Sequence, residues 1–223
     1  MQLIIFDCDG TLVDSQHKIC AAMTHAFTAL QLPVPSRSAI LGIVGLSLPQ
    51  VFAVLAANEP VNVQARLAEL YAQDFPARRP GAPLNDPLYA GMGELVATLA
   101  RRPEIVLGIA TGKSRRGVAR ILAREGWSGH FVTIQTADDH PSKPDPAMIL
   151  AAMAEVGAEA AHTLMVGDTS YDMEMAVNAG VRGLGVSWGY HPPARLLQAG
   201  AERVVQSSQE LLRAIGEPLE ALA

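Results

Sequence analysis

Leu3-Ile4-Ile5-Phe6-Asp7-Cys8-Asp9-Gly10-Thr11-Leu12-Val13-Asp14 is the stretch that decides the fold. A short apolar run ending on a carboxylate suits a strand buried on both faces, as in a parallel sheet. Similar runs recur at Ile105–Thr111, Phe131–Gln135, Thr163–Gly167 and Val181–Val186. Helical patterns separate the later runs. Leu95, Val96 and Leu99 mark one helix over Glu94–Arg101. Ser114 is a cap for a second over Arg115–Glu125, with Gly126 just past its end. Asp145 and Pro146 read as the N-cap and first residue of a third, running to about Val156. A fourth opens at Ser170, sets Met173, Ala176 and Val177 on one face and stops at Gly180. Strand and helix in alternation predict a parallel, Rossmann-like α/β sheet covered by helices.

One interval breaks the rhythm. About a hundred residues separate Asp7 from Ile105, whereas a βαβ crossover needs roughly thirty. The excess reads as helical. Ile19, Met23, Phe27 and Leu30 fit one apolar stripe, Leu48, Val51, Phe52 and Leu55 a second, and Val63, Leu67, Leu70 and Tyr71 a third. Pro76, Pro80, Gly81, Pro83 and Pro87 then exclude a helix or central strand and return the chain to the sheet. The expected division is an α/β core of residues 1–15 and 84–223 with an inserted all-helical cap of residues 16–83.

Composition bounds the function. Of 223 residues, 49% are hydrophobic and 17% charged, enough for a substantial core and too apolar for a disordered chain. Seventeen basic residues against 22 acidic ones give a net charge of −5, which offers no footprint for nucleic acid or an anionic membrane. Cys8 and Cys20 make no disulfide framework. The amino-terminal apolar run stops at Asp7, too early for a signal peptide, and no window is long and apolar enough to span a bilayer. A cytoplasmic protein, monomer or homodimer, is the expectation.

In open α/β sheets ligands bind beyond the carboxyl ends of the strands. Asp7, Thr111 and Asp168 all fall there. Lys143 lies in the connection after the third strand, kept off a helix by Pro144. Separate segments thus deliver carboxylates, a hydroxyl and an ammonium to one edge, with Asp9 close by. That set suits phosphoryl transfer. Carboxylates hold a hard cation such as Mg²⁺. A carboxylate can attack phosphorus, and a second can protonate the leaving oxygen and then activate water. Thr111, before a helix N-terminus, and Lys143 suit phosphoryl oxygens.

These residues resemble the four motifs of the haloacid dehalogenase superfamily, in its phosphatase branch. Asp7-Cys8-Asp9-Gly10-Thr11 is similar to the first, Ala110-Thr111-Gly112 to the second, Lys143-Pro144-Asp145-Pro146 to the third and Gly167-Asp168-Thr169-Ser170-Tyr171-Asp172 to the fourth. The insertion after the first motif, with Gly45-Leu46-Ser47, resembles the cap of phosphoglycolate-phosphatase-like members. The resemblance implies that Asp7 is nucleophile and metal ligand. Asp9 is then acid/base, with its backbone carbonyl on the metal. It also implies Asp168 as metal ligand, Asp172 as support, Thr111, Gly112 and Lys143 as phosphoryl-binding residues, Mg²⁺ as cofactor and a small phosphorylated metabolite as substrate. Ser142, before the lysine, and His191, after Trp188-Gly189-Tyr190, depart from the usual pattern, away from the chemistry.

Rival readings have weaker support. Thr11 and Leu12 stand where a calcium loop needs Asp or Asn and then Gly. Gly108 to Ser114 is one residue short of a P-loop, which leaves Lys113 as an expected solvated residue. Gly45-Leu46-Ser47-Leu48-Pro49 lacks the closing glycine of a nucleophile elbow. Cys8 reads as a small buried hydrophobe. His17, Lys18 and Arg37 read as surface residues of the cap, and Asp172 alone would pass for a helix-dipole partner. A β-phosphoglucomutase-like phosphomutase, a phosphonatase using Lys18 and a non-catalytic phospho-receiver are the alternatives to a phosphatase.

Overall fold

The computed structural model describes residues 1–74 and 86–216. Pro76, Pro80, Gly81 and Pro83, and with them the expected cap boundary at 83/84, lie outside the described residues. Six strands form one parallel sheet among the described residues: β1 (Gln2–Phe6), β2 (Ile105–Thr111), β3 (Phe131–Thr136), β4 (Thr163–Gly167), β5 (Arg182–Val186) and β6 (Arg203–Val205), in the order β3-β2-β1-β4-β5-β6. Five follow the apolar runs. The sixth is only three residues long and begins with an arginine, so no run marks it. Chain order reverses between β1 and β4, which pair in parallel as Ile5↔Met165 and Phe6↔Val166. That reversal opens the crevice in which such sheets bind ligands.

Period-two alternation gives the sheet two apolar faces. Ile4, Phe6 and Cys8 join Leu107, Ile109, Leu164 and Val166 under α5 (Met92–Leu99), α6 (Arg115–Arg124) and α10 (Ser208–Gly216). Leu3 and Ile5 join Met165 under α7 (Ala147–Val156) and α8 (Ser170–Asn178). Helix α9 (Pro193–Gln198) leads into β6. Ser114 caps α6, its hydroxyl accepting from the Gly117 N–H at 3.2 Å. At α7 the start shifts by one: Pro146 holds the cap position, while the Asp145 carboxylate accepts from the Ala147 N–H at 2.9 Å.

Between β1 and β2 stand α1 (Gln16–Ala29), α2 (Arg37–Leu41), α3 (Leu48–Leu55) and α4 (Val61–Asp74). The predicted stripes are α1, α3 and α4; α2 is too short to show a period. Ile19, Met23, Phe27, Val51, Phe52 and Leu67 form an apolar cluster of their own, apart from the two sheet clusters. At its base two chain segments run side by side, Asp14 N–H bonding Pro87 O at 2.8 Å and Tyr89 N–H bonding Leu12 O at 3.1 Å. No described helix is long and apolar enough to cross a membrane.

Candidate active site

Asp7 follows β1 directly and keeps its alternation. Cys8 points into the apolar cluster with Ile4 and Phe6, and Asp7 faces the opposite way. The Cys8 thiol is buried, and burial followed by the Asp7 and Asp9 charges pushes its pKa up, so it is a packing residue, as expected. Asp7 is buried too. Its Oδ1 lies 3.0 Å from Lys143 Nζ, yet neither carboxylate oxygen closes a hydrogen bond of good geometry among the described residues. Burial pushes the Asp7 pKa up to about 6, against the pull of Lys143.

Lys143 is fully buried in the connection after β3, its peptide bond to Pro144 in the cis form. Its Nζ also meets Asp172 Oδ1 at 2.5 Å. Burial pulls its pKa down, and the Asp172 and Asp7 carboxylates more than reverse this. The other Asp172 oxygen accepts from the Thr169 N–H at 3.0 Å and the Thr169 hydroxyl at 2.7 Å, the return half of a capping box at the start of α8. One carboxylate thus ties a helix start to the buried lysine.

Asp168 follows β4. Its Oδ1 accepts from the Thr11 hydroxyl and its Oδ2 from the Tyr190 N–H, both at 2.9 Å. Gly10 passes so close, at φ +91°, that a Cβ there would sit 2.2 Å from Asp168 Oδ2. Burial, then Asp172 and Asp7, pushes the Asp168 pKa well above the usual range. Asp7, Asp168 and Asp172 bring ligand oxygens within 4.8 Å of one another. Among the described residues, three buried carboxylates thus share one ammonium.

Asp9 stands outside that cluster. Its carboxylate accepts from Lys113 Nζ at 2.7 and 2.9 Å and from the Ser15 hydroxyl. Lys113 is therefore not a solvated residue: its side chain is 6% exposed, and Asp9 raises its pKa against the effect of burial. Lys113 sits one residue before the α6 cap, on the same loop as Thr111, and the loop carries it to the catalytic edge. Thr111 is buried at the end of β2, its hydroxyl accepting from the Lys113 N–H at 3.2 Å. Gly112 passes under the inserted helices, where a Cβ would lie 2.6 Å from Gly45 O.

The two departures from the motif pattern both grip the insertion. Ser142 Oγ accepts from the Ser47 N–H at 2.7 Å. His191 Nδ1 accepts from the Ser170 N–H at 2.9 Å and Nε2 meets Gly42 O at 3.1 Å, the pattern of a neutral ring protonated on Nε2. The Tyr171 hydroxyl donates to the same Gly42 carbonyl at 3.2 Å. Between the sheet edge and the inserted helices lies a cavity of about 490 Å³, reached by Asp7, Asp9, Thr111, Gly112 and Lys113. Lys18 instead pairs with Asp86 at 3.1 Å, and Arg37 reaches Gln16 and Cys20; none of these lines the cavity.

The chain is similar to known proteins over most of its length. The family model for haloacid dehalogenase-like hydrolases matches residues 4–186. A probable phosphatase, IndB, of Dickeya dadantii is 36% identical over 95% of this chain and 92% of its own length. The tyrosine-protein kinase PtkA of Mycobacterium tuberculosis is 34% identical over 85% of this chain, which spans 63% of the kinase. A phosphoglycolate phosphatase of Vibrio parahaemolyticus is 28% identical over 96% of each chain. Among solved structures, a hydrolase from Pseudomonas syringae superposes with a TM-score of 0.83 at 29% identity, covering 97% of this chain and 98% of that one.

Proposed function

The chain belongs to the haloacid dehalogenase-like hydrolase family, and from that premise we propose that it is an Mg²⁺-dependent phosphatase. It hydrolyses a small phosphomonoester through an aspartyl-phosphate on Asp7. One observation carries the proposal: among the described residues, a buried cluster of Asp7, Asp168 and Asp172 shares a single ammonium, Lys143, 3.0 Å from Asp7 and 2.5 Å from Asp172. Buried carboxylates are costly unless paired, so three of them sharing one ammonium fit a divalent cation. Asp7, Asp168 and the Asp9 backbone carbonyl would hold Mg²⁺, with Asp172 in support. Bound there, the ion supplies charge neutralisation for the phosphoryl oxygens.

The chain's own residues do the rest. Asp7, fixed by burial and Lys143, attacks phosphorus while the leaving oxygen departs. Asp9 protonates that oxygen, then takes a proton from the water that hydrolyses the acyl phosphate. The Thr111–Gly112 turn, which lines the cavity, binds the transferring group, and Lys143, ion-paired to Asp7 and Asp172 and outside the lining, holds Asp7 in place. Lys113 and Ser15 hold the Asp9 carboxylate toward the cavity. Helices α1–α4 act as a cap, fastened by Ser142, His191 and Tyr171, and exclude bulk water while the leaving group is present.

One alternative has an observation against it, and a second is separated by experiment. A phosphonatase needs a free lysine over the site, but the lysine of the insertion is ion-paired to Asp86 and lines no part of the cavity. A phosphotransferase, the reading carried by the name of the mycobacterial relative, needs an acceptor other than water. The test is release of inorganic phosphate from a generic aryl phosphate with no added acceptor. Release is expected with Mg²⁺ and is lost with EDTA or in Asp7→Asn. Full activity in either condition overturns the mechanism, and turnover that requires an added acceptor favours the transferase.

A further inference from the structure

We infer that the leaving group of the substrate is an apolar alcohol or phenol rather than a small charged acid. The inference rests on the hydrolase reading above and names the class of ester it acts on. The cavity has two unlike ends. Where it meets the sheet edge it is polar, with Asp7, Asp9, Thr111 and Lys113. Beyond them its walls are Ile19, Met23, Val44, Leu46, Leu48 and Val51, contributed by α1, the loop before α3 and α3 itself. Among the described residues, none that the insertion contributes to the cavity is charged. The cations in the lining come from the core. Lys143 is not among them, Lys113 is engaged by Asp9, and Arg116 and Arg120 are exposed on α6.

Size and polarity then agree. About 490 Å³ is within the range of pockets that enclose whole small molecules. A phosphoryl group against Asp7 fills only part of it. Hydroxyacetate, the alcohol released from phosphoglycolate, would underfill the remainder and set a carboxylate against aliphatic walls to which the described residues of the insertion contribute no cation, a costly desolvation. An alkyl chain or aromatic ring gains by filling the same space. Arg116 and Arg120, exposed on α6 and in the same lining as Asp138, offer positive charge to an entering phosphate dianion in a protein that is otherwise net negative.

The test is a homologous series of straight-chain alkyl phosphates, methyl to hexyl, with phenyl phosphate, phosphoglycolate and glycerol phosphate assayed beside them under Mg²⁺. The expected result is a rise in kcat/KM of about fourfold per methylene, the fold-change that ~0.8 kcal/mol per buried CH₂ produces. Phosphoglycolate and glycerol phosphate should fall at least tenfold below the butyl ester. Leu48→Gln, at a half-buried wall position, should flatten the series; an unchanged slope in that variant overturns the wall assignment. A flat or falling series in the wild type, or a preference for phosphoglycolate, overturns the inference and leaves the hydrolase reading standing. If no ester is hydrolysed, the hydrolase reading falls instead. Calorimetric titration with alkyl phosphonates and Mg²⁺ then decides: affinity that grows with chain length upholds the apolar pocket, and length-independent or absent binding overturns it.

Discussion

Replacing Lys143 by methionine removes the one ammonium from the buried carboxylate cluster while keeping the volume of the side chain. In the intact protein its Nζ sits 3.0 Å from Asp7 and 2.5 Å from Asp172, all three side chains essentially without solvent. Breaking such a pair leaves uncompensated buried charge and costs about 3–5 kcal/mol. That is a third or more of the ~5–15 kcal/mol by which domains are ordinarily stable. The sign of the pH dependence follows from the carboxylates. Burial already raises Asp7 to about 6 from its usual 3.8, so its ionisation opposes folding. Stability associated with a raised carboxylate is present below the unfolded value and is lost as pH rises through the folded one. Without Lys143 the Asp7 value climbs further, each unit adding about 1.4 kcal/mol to the loss at high pH. Urea denaturation in EDTA, followed by the fluorescence of Trp127 and Trp188, reads this directly. The expected loss for Lys143→Met is about 3–5 kcal/mol near pH 8 and smaller by about 1.4 kcal/mol or more near pH 5. A loss under about 1 kcal/mol, or the same loss at both pH values, refutes the charge argument.

Asp9→Asn should lower kcat by roughly 10²–10⁴, the usual worth of a positioned acid/base, with the smaller loss on esters of good leaving groups; equal losses on aryl and alkyl esters contradict the acid role. Lys113→Met should lower kcat by about tenfold or more through Asp9, less than Asp9→Asn does, and an unchanged kcat in steady-state assays would show that the pair positions nothing. Ser142→Ala removes the acceptor of the Ser47 N–H, a bond worth about 0.5–1.5 kcal/mol, so that amide should exchange its hydrogen about 2- to 13-fold faster by NMR; unchanged exchange means the bond does not hold the cap. Mg²⁺ should raise Tm more near pH 8 than near pH 5, because it competes with protons for the buried carboxylates; the reverse order, measured by calorimetry, would contradict the cluster as a cation site.

The sheet was legible because its strands are buried on both faces. Ile105–Thr111 and Thr163–Gly167 are bounded in the structure just as their apolar runs are in the chain. Arg203–Val205 was not, since an edge strand of three residues needs no apolar run. In the insertion the long helices announce themselves by period, whereas Arg37–Leu41 is barely more than a turn. The candidate site was legible wherever strand ends carry it, at Asp7, Thr111 and Asp168. Lys113 was misjudged because, with the P-loop spacing one residue short, it reads as a solvated residue of the first helical turn. Its partner Asp9 lies 104 positions away in sequence, and only the sheet order brings the two together. A signal existed: Ser114 caps α6, which leaves Lys113 on the loop with Thr111 at the catalytic edge. Ser142 and His191 carry no local signal for their role, since each acts on backbone groups of a distant loop. Asp172 combines both readings, one oxygen serving the helix start and the other Lys143.

The central claim is covalent phosphorylation of Asp7, and the measurement that tests it most directly is identification of the modified residue. The enzyme is mixed with Mg²⁺ and an aryl phosphate, quenched within a turnover and reduced with borohydride, which converts an aspartyl-phosphate to homoserine. Peptide mass spectrometry then locates the change. The account predicts homoserine at position 7 in the peptide containing Cys8 and Asp9, and none in Asp7→Asn. Phosphate release at full rate with an unmodified Asp7, or reduction at Asp9, Asp168 or Asp172 instead, would contradict it.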